Sequence, residues 1–195
     1  MNTLIIENLT KTYPNGVKAL NGINLTITNG MFGLLGANGA GKSSLMRTIA
    51  SLQEPTSGTI SFNNSDIVQK PDEIRKTLGY LPQEFGVYPK ISAEKLLNHL
   101  AVLKGIINKK DRKEQVTALL QQVNLYQHRK KSVATFSGGM RQRFGIAQAL
   151  LANPRIIIVD EPTAGLDPEE SNRFLNLLSE IGENVIVILS THIVE

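Results

Sequence analysis

The sequence predicts an α/β fold built on a mostly parallel sheet, and three observations carry that prediction. Ile156–Val159 and Val185–Leu189 are near-continuous Ile/Val-rich runs, the pattern of strands covered on both faces. A helical segment from Pro168 to Ile181 lies between them, and strand–helix–strand order implies right-handed crossovers. Residues 83–151 change character and read as an all-helical block inserted between two α/β halves.

Taken in order, the first thirty residues read as β. Ile23–Thr28 alternates apolar and polar residues, the period of a half-buried strand. Tyr13-Pro14-Asn15-Gly16 is a turn between two such segments, so an N-terminal antiparallel β subdomain is expected. Met31–Leu35 is a short apolar run entering a glycine-rich loop, and Ser43–Leu52 reads as a helix ended ahead of Pro55. Thr59–Phe62 is a strand followed by an Asn63-Asn64 turn; Pro71 opens a short helix through Lys76, and Leu78–Leu81 is the next strand. In the inserted block Ser92 is an N-cap, with Leu96, Leu97, Leu100 and Leu103 on one helical face. Val116, Leu119, Leu120 and Val123 form a second stripe and Gly139–Leu151 a third, all expected to pack into a core. The expected organisation is one domain, 1–195: an α/β core of 1–82 and 152–195 carrying a helical subdomain of 83–151.

Composition bounds the function. The chain has 195 residues, 41% apolar and 19% charged, which is globular rather than disordered. It has no cysteine, which excludes a disulfide scaffold, a Cys-based zinc site and a catalytic thiol. No N-terminal leader pattern is visible, and the apolar runs fall far short of the ~20 residues of a membrane helix. The net charge of +4 is spread thinly, except at Lys109, Lys110, Arg112, Lys113 and at Arg129, Lys130, Lys131. These clusters read as solvated loop or helix ends, the alternative being contact with anionic lipid or a phosphate-rich partner.

Two motifs carry chemistry. Gly36-Ala37-Asn38-Gly39-Ala40-Gly41-Lys42-Ser43 fits G-x-x-x-x-G-K-[ST]. Glycines let successive N–H groups converge on phosphate oxygens, and the helix that follows points its positive end at the same anion. Lys42 is expected to reach the β- and γ-phosphates of a nucleotide and Ser43 to ligate Mg²⁺, with Gly36, Asn38, Gly39, Gly41 and Ser44 completing the cradle. The second motif is Asp160-Glu161, delivered at the carboxyl end of the buried run Ile156–Val159. Ligands of open parallel sheets sit at those strand ends. Asp160 is then placed to hold Mg²⁺, and Glu161 to orient or deprotonate an attacking water.

With these motifs in place the chain resembles the ATP-binding cassette (ABC) ATPases over essentially its whole length. Phe136-Ser137-Gly138-Gly139-Met140-Arg141-Gln142-Arg143 is similar to the family's signature motif, and Gln83 in Leu81-Pro82-Gln83-Glu84 to the Q-loop glutamine. Ala164-Gly165-Leu166-Asp167 resembles the D-loop, His192 in Ser190-Thr191-His192 the switch histidine, and Tyr13 the aromatic residue that stacks on adenine. The resemblance implies a P-loop NTPase of ABC type that binds ATP and Mg²⁺. It implies that Gln83 senses Mg²⁺ and couples to a membrane partner. It implies that Ser137, Gly138 and Gly139 contact the γ-phosphate held by a second subunit, and that His192 holds the γ-phosphate and the attacking water.

Two departures stand out. The signature's fifth position is Met140, where the family has glutamine; the change is expected to be tolerated and the site active. Family members also continue beyond the switch histidine, so the chain is expected to be a C-terminally shortened form of a longer protein. The function expected is an ATP-hydrolysing motor subunit of a transporter. It would pair head to tail with a second ABC subunit and act on a separate membrane permease from the cytoplasmic side of the membrane. Residues 83–92 and the signature variant are similar to bacterial exporter subunits of the drug- or lipid-efflux type, so export is the direction expected. The alternative is a soluble ABC-type ATPase acting on ribosomes or DNA, disfavoured by a single cassette with no coiled coil and no zinc module; no nucleic-acid partner is expected. A clamp that binds ATP without hydrolysing it is disfavoured by Lys42, Asp160, Glu161 and His192.

Overall fold

A computed structural model describes residues 1–82, 86, 90–163 and 166–191. The strands are β1 (Thr3–Thr12), β2 (Lys18–Thr28), β3 (Gly30–Leu35), β4 (Ser57–Phe62), β5 (Ser65–Asp66), β6 (Leu78–Leu81), β7 (Ile156–Val159) and β8 (Ile186–Thr191). The helices are α1 (Lys42–Ile49), α2 (Pro71–Thr77), α3 (Ala93–Leu103), α4 (Lys109–Gln122), α5 (Gly138–Ala149) and α6 (Pro168–Gly182). Two sheets form: an antiparallel one in the order β2-β1-β4-β5 and a parallel one in the order β3-β8-β7-β6.

The apolar runs of β7 and β8 follow from where these strands lie. Successive side chains point to opposite faces of a strand, and here each face has its own core. Ile156, Ile158, Ile186 and Ile188 pack with the antiparallel sheet and α1, against Leu4, Ile6, Ile60, Met46 and Ile49. Ile157, Val159, Val187 and Leu189 pack on the other side with the helical block and α6, against Leu97, Leu120, Phe144 and Phe174. The parallel sheet is therefore the middle layer, and every residue of β7 is buried.

Local chemistry sets the helix starts. Ser92 caps α3, its hydroxyl accepting from Lys95 N–H at 3.4 Å. Asn108 caps α4 at 2.8 Å from Lys110 N–H, Ser137 caps α5 at 3.2 Å from Met140 N–H, and Asp167 caps α6 at 2.8 Å from Glu170 N–H. Each satisfies an N–H that the helix leaves unpaired. Pro71 and Pro168 sit in the first turns of α2 and α6, where the missing N–H costs nothing.

Several expectations shift. The N-terminal strands are longer than the alternating segment alone predicts, because β1 and β2 extend each other's ladder down to the Tyr13 turn. The segment Met31–Leu35 forms β3, but as the edge of its sheet, leaving Met31 45% and Leu35 66% exposed. The helix predicted over Ser43–Leu52 ends at Ile49, closed by Ser51 at φ 54°. Leu103 leaves the stripe assigned to it and is 70% exposed, because α3 ends there. Two 3-10 turns, Tyr126–His128 and Val133–Thr135, carry no sequence periodicity to betray them.

Candidate functional site

The P-loop stands where the motif predicts it, between the end of β3 and the start of α1. Gly39 and Gly41 adopt φ values of 82° and 90°. At Gly41 a side chain is excluded twice over, since a Cβ there would also run into the carbonyl oxygen of Ala19. Gly41 occupies the cap position of α1 without any side chain to satisfy the first N–H groups. A helix start with open N–H groups and no acidic residue in its first turn is suited to an anion. Residues 37–40 are exposed, so the site is accessible. Lys42 folds back over the loop, its ammonium donating to the carbonyls of Gly36 at 2.5 Å and Ala37 at 3.0 Å. Its charge is thus held above the curl rather than sent into solvent. Ser43 and Ser44 follow in the first turn of α1, half-buried.

Tyr13 reaches this helix from the β1–β2 turn. Its hydroxyl lies 3.0 Å from the Ser44 hydroxyl and donates to Gln53 Oε1 at 3.1 Å. Gln53 in turn donates to Ser44 O at 2.9 Å and to the Thr48 hydroxyl at 2.9 Å. The ring is therefore tied to α1 by its far end, with the Lys11 ammonium 5.5 Å from its centroid.

The acidic pair follows β7. In register, Leu35 pairs Thr191 and Val159 pairs Leu189. The P-loop and Asp160 therefore lie at one sheet edge, about 10 Å apart at two strand spacings. Asp160 is 8% exposed, and its Oδ1 accepts from the Ser190 hydroxyl at 2.7 Å. Glu161 takes φ 49°, a left-handed conformation uncommon outside glycine, and its N–H donates to the same Ser190 hydroxyl at 2.8 Å. Neighbouring β6 adds Tyr80, whose phenol is pushed above its usual range by burial and by the negative charge of Asp160. Arg47 of α1 opposes that shift through its charge and a hydrogen bond to the phenol.

The signature segment is built as a helix start. Ser137 and Gly138 are exposed while Gly139 is buried. A Cβ at Gly139 would collide with the carboxylate of Glu170, which enters from α6. Arg141 Nε donates to Phe136 O at 3.0 Å, and the Phe136 and Phe144 rings meet edge to face at 6.2 Å. Met140 packs partly buried against the helical core. Of the remaining predicted residues, Gln83 and His192 lie outside the described residues, as do Ala164 and Gly165 of the D-loop-like segment. Sequence reasoning passed over Ser190, Gln53, Arg47 and Tyr80. Ser190 stood in the triplet that ends at His192, and Tyr80 directly ahead of Leu81–Glu84.

The basic clusters divide as well. Arg112 donates to the carbonyls of Ile106 and Ile107, and Arg129 lies 4.0 Å over the Tyr126 ring, so both are structural. Lys109, Lys110, Lys113, Lys130 and Lys131 are exposed.

The chain is similar to known proteins over most of its length. A family model described as ABC transporter matches residues 20–164. The ABC transporter ATP-binding protein NatA of Bacillus subtilis is 38% identical over 182 residues, covering 92% of this chain and 74% of that protein. The phosphonates import ATP-binding protein PhnC 2 of a Synechococcus strain is 36% identical, covering 97% of this chain and 76% of that protein. Among solved structures, a dimeric ATP-binding cassette, MJ0796, bound to ADP and Pi superposes with a TM-score of 0.84 at 28% identity, over 97% of this chain and 88% of that one. A strand-to-helix loop shaped for phosphate, an acidic pair at the same sheet edge and a capped signature helix thus coincide with the matched region, and the chain belongs to the ABC transporter family as an ATP-binding ATPase subunit.

Proposed function

We propose that this subunit is the motor of a membrane transporter, closing over ATP with a second cassette and reopening on hydrolysis to drive a separate permease. The observation that carries the reading is the Lys42 ammonium poised over the P-loop at the open end of α1, on the same sheet edge as Asp160 and Glu161. Lys42 and the loop N–H groups take the β- and γ-phosphates, and Ser44 and Tyr13 flank them, with the Tyr13 ring offered to adenine. Ser43 and Asp160 supply oxygen donors only, which suits Mg²⁺, a cation held by few protein ligands plus phosphate. When bound, Mg²⁺ neutralises charge that builds on the transferring phosphoryl group. Glu161 orients the water and takes its proton. Gln83 and His192 complete the site by resemblance, on the metal and on the γ-phosphate. Ser137, Gly138 and Gly139 serve the nucleotide of the opposing subunit.

No helix among the described residues is long and apolar enough to cross a membrane, and the site chemistry needs none, so the permease is assigned to a separate chain or domain. We place the subunit on the cytoplasmic face, where ATP is supplied. Export is the direction we favour, on the likeness of residues 83–92 and of the signature variant to exporter subunits. The likeness to a protein named for import weighs against it. The test is capture of partners by the Glu161→Gln protein with Mg-ATP from detergent-solubilised membranes. A polytopic membrane protein in stoichiometric yield supports the transporter reading; ribosomal or DNA-bound proteins in its place overturn it. Vesicles rebuilt with that permease then report direction by which side accumulates substrate. Lys42→Ala is expected to lose nucleotide binding in the same preparations.

A further inference from the structure

We propose that Ser190 is a positioning residue for the hydrolytic site, a single hydroxyl that aims Asp160 and holds Glu161 in its turn. Ser190 is fully buried at the end of β8. Its oxygen accepts the Glu161 N–H at 2.8 Å, and its proton goes to Asp160 Oδ1 at 2.7 Å. The two bonds depend on each other. An N–H donated to the oxygen leaves the hydroxyl proton to point away from it, toward the carboxylate. That fixes the roll of the Asp160 side chain and commits its Oδ1 to Ser190.

The second bond acts on the backbone. Glu161 sits at φ 49°, a conformation an L-residue keeps only when its surroundings impose it. The bond from its N–H to β8 is such a constraint, and it sets the direction in which the Glu161 side chain leaves the strand. Ser190 also stands two positions ahead of His192 in sequence. One hydroxyl therefore ties the strand carrying the acidic pair to the strand leading into the histidine. Outer groups that orient a ligand in this way commonly govern metal affinity or activity by about 10–100-fold.

The proposal rests on reading Asp160 as a metal-holding residue and Glu161 as the base, and its test separates the two claims. Wild type, Ser190→Ala, Ser190→Thr and Asp160→Asn are compared in three measurements. The first is binding of AMP-PNP in EDTA, which reports a folded P-loop. The second is Mn²⁺ affinity of the AMP-PNP-saturated protein by electron paramagnetic resonance. The third is kcat and KM for ATP hydrolysis. Ser190→Ala is expected to bind AMP-PNP in EDTA within about twofold of wild type, yet to lose about 10–100-fold in Mn²⁺ affinity and in kcat with KM little changed. Ser190→Thr, which keeps the hydroxyl, is expected to recover most of both losses. Wild-type Mn²⁺ affinity in Ser190→Ala, or a Ser190→Thr protein as impaired as Ser190→Ala, overturns the proposal. If Ser190→Ala fails to bind AMP-PNP in EDTA, Ser190→Cys, nearly the same shape with a much weaker hydrogen-bonding group, is judged by the same criteria. Unchanged Mn²⁺ affinity in Asp160→Asn overturns the underlying reading of the site. Lost affinity there with none lost in Ser190→Ala overturns the positioning role alone.

Discussion

At Gly41 two constraints meet, of which only one acts at Gly39. Its φ of 90° strains any side chain, and a Cβ there also strikes Ala19 O, whereas at Gly39, φ 82°, nothing lies within 4 Å of a Cβ. Gly39→Ala is therefore expected to cost about 1 kcal/mol of backbone strain. Gly41→Ala must also displace β2 from α1, and is expected to cost at least about 3 kcal/mol and most of the nucleotide affinity. Urea unfolding and nucleotide titration of the two variants check this; equal losses would mean that the Ala19 contact does not matter. Met140 supplies the opposite case. Its side chain packs on the helical core while its N–H serves the Ser137 cap. Met140→Gln is accordingly expected to leave ATPase turnover within about threefold, since no transition-state contact is lost. The P-loop and Asp160-Glu161 were legible because their chemistry is local, with spacing and partners in one short segment. Ser190 was not: its partners lie about thirty residues away in sequence and meet it only when β8 pairs with β7.

Among elements, α3 shows how far a stripe can be trusted. Leu97 is fully buried and Leu103 is 70% exposed, though the period groups them. Leu97→Ala is expected to cost about 2–5 kcal/mol and Leu103→Ala less than about 0.5, measured as differences in urea unfolding. The period was right where the helix has a neighbour and wrong where it runs out, and no sequence pattern marks that point. Lys104, just beyond, joins α3 to β6 by donating to Leu78 O at 2.9 Å, and burial lowers its pKa from the usual 10.5. In the interval below pH 10.5 the unfolded chain holds this proton while the folded chain has begun to shed it, so Lys104 makes stability rise with pH there. Tyr80 acts in the opposite sense. Its raised pKa makes stability fall above pH 10, but it is common to wild type and to a Lys104→Met protein. The stability difference between the two proteins should therefore grow in favour of wild type from pH 8 to pH 10.5. A difference constant with pH would show that Lys104 is not desolvated. The runs Ile156–Val159 of β7 and 186–189 of β8 were legible for a stronger reason: both faces are covered, and polar residues enter β8 only at its end, with Ser190 and Thr191.

For the whole molecule, the shape of the site decides how it works. The P-loop residues 37–40 are exposed, and so are Ser137 and Gly138 of the signature helix. The described residues do form a groove of about 380 Å³, but it is lined by Gln122, Asn124, Arg143, Arg173 and Glu180, so it touches the signature helix only through Arg143 and includes no P-loop residue. Among the described residues the P-loop is open to solvent, so a nucleotide held there as proposed would need another surface to exclude water from its phosphates. In the proposed function the signature helix start offers donors for that closure, and a second copy would supply them in both directions. Glu161→Gln keeps the shape of the side chain while removing the proposed base, so ATP should persist and the closed pair with it. We expect light scattering of Glu161→Gln with Mg-ATP to give twice the 21.4 kDa of one chain, and one chain's mass with Mg-ADP. Adding Lys42→Ala should return it to one chain, because the phosphates lose the charge that seats them. A Glu161→Gln protein that stays at one chain's mass with saturating Mg-ATP would show that this surface does not close on a second copy. The ATPase would then have to complete its site with a different cassette.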